Sequence, residues 1–101
     1  MFILVCNRAY PGYSDTGSSI FPAVQNILLA ARGLGLGAAL TTRQIRFEAE
    51  LKQMFNIPTD VHTVALLPIG FLGKGARYGP TRRKPLQDVA FNERWGDSWQ
   101  P

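Results

Sequence analysis

Five of the chain's eleven basic residues, Lys74, Arg77, Arg82, Arg83 and Lys84, lie between Gly73 and Pro85 with no acid among them. Cations at that density suit a phosphate-bearing partner, although a solvated turn is the simpler reading of Arg82, Arg83 and Lys84 taken by themselves. A second candidate is the pair Thr41 and Thr42, which stands at a strand end after Gly33, Gly35 and Gly37. Hydroxyls and backbone amides there can meet a ligand; on composition alone the two are equally well read as ordinary strand residues. Cys6 and His62 are each the only residue of their type, which removes an internal disulfide, a CxxC pair and any Cys/His metal constellation. Cys6 reads as a small buried hydrophobe in a strand, and no metal site is expected. The run GLGLG (Gly33 to Gly37) resembles a dinucleotide fingerprint only superficially, because it follows a helix where that motif must precede one. It reads as a helix terminator. No nucleophile–base pair, paired carboxylates or Walker-type phosphate loop is present.

The stretch that must position these groups is Phe21 to Thr42. Its first part, to Leu34, carries only Gln25, Asn26 and Arg32 as strongly polar side chains, so apolar residues surround the helix and predict one buried on all sides. Gln25 and Asn26 then need partners, and hydrogen bonds to neighbouring backbone are the simpler expectation than substrate contact. Ser18 or Ser19 is the expected cap, with Pro22 in the first turn, and Gly33 or Gly35 ends the helix. Ala38 to Thr42 reads as a short strand.

The remaining elements follow from pattern. Phe2 to Cys6 is a β-branched and aromatic run that predicts a strand buried on both faces. A core strand with so little lead-in suggests a cut edge, as though something preceded it. Tyr10 to Gly17 is a loop by its proline, glycines and small polar residues. Arg43 to Phe55 is an amphipathic helix, with Ile45, Leu51, Met54 and Phe55 facing inward and Pro58 stopping it. His62 to Phe71 is a second buried strand, in which Pro68 implies an edge position or a bulge near the strand's end. Beyond the basic segment, Leu86 to Gln100 forms an arm with Phe91, Trp95 and Trp99 at every fourth position. Apolar residues on an arm want a second surface, such as a partner subunit.

Composition sets the class. With 101 residues there is room for one domain; 46% hydrophobic residues suffices for a core, and 18% charged with 11% aromatic argues against disorder. The net charge of +4 is only moderately basic, and with Tyr78 the one aromatic in the basic segment, nucleic-acid binding ranks last among the functions weighed. The apolar start is too short for a signal peptide or a membrane span, so a cytoplasmic protein is expected.

Taken together and in order, PAVQNILLAARGLGLGAALTT, the helix ending in FNIP, VALLPIGF, RRKPLQDV and the downstream RWG resemble the C-terminal half of the nitroreductase family of FMN-dependent oxidoreductases. The resemblance runs from Phe2 to Gly96. It implies an α+β fold, here a partial one with a small sheet packed with helices and a C-terminal arm, residues 1–101 being the C-terminal half of the domain and the N-terminal half missing. It also implies an intertwined homodimer with FMN at the dimer interface, or pairing with a separate N-terminal half. NADH or NADPH would supply electrons, and nitroaromatics, quinones or similar small molecules would accept them. By the same resemblance, Leu40, Thr41 and Thr42 run along the flavin ring and offer it a backbone amide. Arg83, with Arg82 as its neighbour, contacts the FMN phosphate, where a guanidinium gives bidentate, charge-assisted bonds. Two readings of different class remain: an FMN-dependent reductase completed by the missing half, and a non-catalytic oligomerising module that has lost the flavin.

Overall fold

The computed structural model describes residues 1–8 and 17–99, so most of the expected Tyr10 to Gly17 loop lies outside the described residues. Three strands and two α-helices form an α+β fold: β1 (Phe2–Arg8), α1 (Gly17–Gly33), β2 (Gly37–Ala38), a 3-10 turn (Arg43–Phe47), α2 (Glu48–Phe55) and β3 (Val61–Gly70). The sheet is antiparallel in the order β1-β3-β2. This is the partial nitroreductase-like α+β architecture expected from the sequence.

The helix terminator resolves to Gly35. Its φ of +75° places it in the left-handed region, Gly35 N–H donates to Arg32 O at 3.0 Å and Leu36 N–H to Ala31 O at 2.9 Å. Those two bonds form a Schellman motif, which satisfies carbonyls at the end of α1 and sends Leu36 back onto the core. At the other end, Ser18 and Ser19 lie inside the helix and do not cap it. Pro22 therefore falls beyond the first turn, and the carbonyl deprived of its amide belongs to exposed Ser18, where water can serve it.

Pro68 corrects the expectation of an edge strand. β3 is central, and its bulge lies upstream of the proline, where the register slips from Val5↔Ala65 to Cys6↔Thr63 and Val64 becomes the extra residue. Amides of β3 alternate sides: Ile69 N–H donates toward β1, to Met1 O, and Leu66 N–H the other way, to Thr41 O. Pro68 nitrogen shares the side of Leu66, between β2 and the isolated Thr41↔Leu66 bridge, where ladder pairing is interrupted. A missing donor is cheap there.

The core is one layer thick. Val24 and Ala31 of α1 meet Ala65, Leu67 and Ile69 of β3, flanked by Ile3, Val5, Ile27, Leu28, Leu36 and Ala38. α1 is thus buried along one stripe only, contrary to the all-round burial read from its composition. Gln25 and Asn26 are exposed, so neither needs a protein partner, and Phe21 and Leu29 are 40% and 58% exposed. β1 is an edge strand and only half-buried: Ile3 and Val5 meet the core, while Phe2 and Leu4 alternate onto the uncovered face. The predicted second helix divides into a 3-10 turn and α2, no residue of α2 is fully buried, and Ile45, Met54 and Phe55 are exposed. These apolar faces have no layer of this chain to pack on.

The dimensions agree. A Cα radius of gyration of 17.9 Å and extents of 52 × 47 × 22 Å exceed the radius of about 13 Å for a compact domain of this length. The accessible surface of 8487 Å² is about 2,800 Å² above the value of about 5,700 Å² for a compact chain of this mass.

Candidate functional site

Residues Gly37 to Thr42 run beside β3 and present an open edge on their other side. Ala39 N–H donates to Pro68 O at 3.3 Å and Thr41 N–H to Leu66 O at 3.0 Å, with Leu66 N–H returning to Thr41 O at 2.9 Å. Strand alternation then turns the amides of Leu40 and Thr42 outward. Neither has a partner among the described residues. Thr41 is thereby spent on the sheet, and its hydroxyl accepts the Arg43 N–H at 3.2 Å. Of the three residues singled out in the sequence, Leu40 and Thr42 offer ligand donors and Thr41 holds the strand in place.

Two open clefts flank this edge. One of about 470 Å³ is lined by Gly37, Ala38, Ala39, Pro68, Leu72 and Tyr78. The other, of about 400 Å³, is lined by Phe21, Thr42, Ile45, Glu48, His62 and Thr63. A Cβ at Gly37 would lie 2.7 Å from Leu72 Cδ2, so a larger residue there would push the half-exposed Leu72 side chain aside.

The basic segment is tied to the first cleft by Tyr78. Its hydroxyl donates to Leu36 O at 2.7 Å, and the Arg32 guanidinium lies 4.0 Å from its ring centroid. Sequence reading saw Tyr78 only as a lone aromatic, because its two partners lie more than forty residues away. Tyr78→Phe is expected to leave the fold intact while loosening residues 73–85, read as faster proteolytic nicking there. An unchanged cleavage pattern would mean the tether does not hold the segment. Lys74, Arg77, Arg82, Arg83 and Lys84 are all exposed, and none forms an ion pair among the described residues. Arg82 and Arg83 have no hydrogen bond to Leu40–Thr42; the chain from Tyr78 to Arg82 spans at most about 14 Å.

The wall of the second cleft is electrostatically ordered. Glu48 Oε1 accepts the Thr63 N–H at 2.6 Å and the Thr63 hydroxyl at 3.1 Å, with Lys52 Nζ and His62 Nδ1 each 3.9 Å away. The backbone hydrogen bond is the main cause holding the Glu48 carboxyl below its usual range; burial opposes it, and the Thr63 hydroxyl, Lys52 and His62 add to it. Cys6, half-buried in β1, has its thiol pushed up by burial first and by the Glu48 carboxylate second, with Lys52 partly offsetting. Gln44, 6% exposed, has its amide nitrogen and oxygen both buried without a partner. Nothing in the sequence marked Glu48 or Gln44, whose significance depends on the bulge in β3 and on the turn that carries them.

The sequence model of the nitroreductase family matches residues 6–71, about two thirds of the chain. The chain belongs to the nitroreductase family. The match takes in α1, the glycine cap, the open edge and β3, whereas the RRKPLQDV and RWG stretches lie beyond it. Membership places the chain in a family of flavin-dependent oxidoreductases, which generally use FMN. The residues present suit such a group in kind. Outward amides at Leu40 and Thr42 are donors for a heterocycle rich in acceptors, and the exposed guanidinium groups of Arg82 and Arg83 are donors for a phosphate. Among the described residues of this nitroreductase-family chain, no helix is long and apolar enough to cross a membrane, and no three His, Cys, Asp or Glu gather as metal ligands.

The arm beyond the match consists of a 3-10 turn at Leu86–Asp88 followed by a tight reversal. Phe91 and Ser98 form a bridge, Asn92 N–H donates to Asp97 O at 2.8 Å, and the Phe91 and Trp95 rings stand 4.7 Å apart. Trp95 is 91% exposed. The reversal pairs Phe91 with Trp95 and leaves the Trp95 ring in solvent.

Proposed function

We propose that this chain is the C-terminal half of a nitroreductase-type FMN-dependent NAD(P)H oxidoreductase acting in the cytoplasm on nitroaromatics, quinones or similar acceptors. The observation that carries the reading is the open edge at Leu40 and Thr42, whose outward amides stand unpartnered between two clefts. FMN bound there would accept a hydride equivalent from the nicotinamide and pass electrons to the acceptor. The chain's own groups have simpler tasks. Leu40 and Thr42 orient the ring by backbone donation, Thr41 keeps that edge registered on β3, and Arg83 with Arg82 neutralises the phosphate. Completion by a second copy or by a separate N-terminal half follows from the apolar faces this chain leaves uncovered.

Titrating FMN into the purified chain and following quenching of flavin fluorescence tests the reading. Saturable binding supports it; a colourless protein that quenches nothing would leave a non-catalytic oligomerising module as the better description. Arg83→Ala is expected to weaken FMN binding about 10- to 100-fold, the range of a charge-assisted hydrogen bond. An unchanged Kd would show that the phosphate is held elsewhere.

A further inference from the structure

Glu48 joins elements that little else holds together. It opens α2, which directly follows the 3-10 turn begun after Thr42. The β-bulge at Val64 explains why Thr63 can answer it: where the register slips, the Thr63 amide is given to the carboxylate. Among the described residues, no other side-chain hydrogen bond ties α2 to β3. Apolar packing cannot substitute, since α2 buries no residue fully.

A force also acts to open the turn. Gln44 keeps both amide atoms buried without a partner, and buried polar groups left unsatisfied favour any conformation that admits water. Opposing it is a continuous chain of bonds. Ile45 N–H donates to Thr42 O at 3.2 Å, Glu48 N–H donates to Ile45 O, and the Glu48 carboxylate holds Thr63.

We propose that Glu48 is a positioning residue for the Leu40–Thr42 edge: its carboxylate clamps the start of α2 to β3 and so fixes the turn that sets the outward amide of Thr42. The proposal rests on the flavin reading of that edge. The charged and titratable groups facing Glu48 are Lys52 from its own helix, His62 from β3 and the Cys6 thiol on β1. A carboxyl held below its usual range in the folded state contributes its clamp fully above the unfolded value, about 4.3, and loses it as pH falls through the folded value. The acid limb is the signature of the clamp.

Amide hydrogen exchange on the full 101-residue chain reads the clamp without any flavin. In Glu48→Ala, protection factors at Thr63 and Ile45 are expected to fall about tenfold or more while Leu67 in the core is little changed. Glu48→Gln keeps an acceptor without the charge, so it should give a smaller loss and no acid limb between the unfolded and folded carboxyl values. FMN affinity, compared at each pH with Glu48→Gln to remove the titration of the phosphate itself, should track Ile45 protection. Full protection of Thr63 in Glu48→Ala would overturn the proposal, and so would loss at Thr63 with Ile45 unaffected. If the wild-type chain binds no FMN, the flavin reading of the edge falls. The amide data then decide alone, parallel loss at Thr63 and Ile45 upholding the clamp and its lack overturning it.

Discussion

Replacing Leu67 by alanine is expected to remove about 2–5 kcal/mol of stability, a large fraction of the total for a domain of this size. Leu67 is fully buried at the centre of β3, in a cluster whose other fully assembled members are Val24, Ala31, Ala65 and Ile69. With a core one layer thick, few neighbours can collapse into the space left behind, so the cavity adds to the lost transfer energy. Urea unfolding followed by far-ultraviolet circular dichroism measures this directly. Leu34→Ala is the control: at a residue exposed on the far side of the glycine cap, a change within about 0.5 kcal/mol is expected. A Leu67→Ala midpoint equal to that of wild type would mean that this cluster is not what holds the sheet to α1.

Leu29→Arg is expected to abolish association of the chain, with little effect on the fold of each copy. Leu29, 58% exposed, lies on the face of α1 opposite Val24 and Ala31. The surplus of accessible area is on the scale that obligate partners bury between them. An arginine forced into such an interface without a counter-charge costs about 3–5 kcal/mol, a rise of more than a hundredfold in the dissociation constant. Sedimentation velocity over a concentration series compares the two proteins. A wild-type chain that stays monomeric at tens of micromolar, or a variant that associates as tightly as wild type, would rule out α1 as the covered face. The loss at Leu67 would be read in the stability of one copy and that at Leu29 in assembly, so the two substitutions separate the inner and outer faces of the same layer.

Element order was legible in the amino acids because its signals are local. Glycine at the end of α1 allows the left-handed cap that Gly35 adopts; Asn56, also left-handed, with Pro58 just beyond, ends α2; and the β-branched runs mark β1 and β3. Local motifs read in order from Phe2 to Gly96 pointed to the nitroreductase family, whose sequence model matches residues 6–71. Burial was not legible in that way. Apolar residues all round α1 state that both faces favour leaving water, but only the sheet's position shows that this chain covers one of them. The inward face predicted for Arg43 to Phe55 failed for the same reason, since an amphipathic pattern names a face and not its partner.

What the sequence by itself determined, then, is the kind and order of the elements and the family, because propensity, capping and turn chemistry act over a few residues. Only the tertiary structure decided that β3 and its proline are central, that Leu40 and Thr42 face outward while Thr41 is spent on the sheet, and that Glu48 meets Thr63. Each of those depends on pairing register across 15 or more residues, where a shift of one position reverses every amide and side chain.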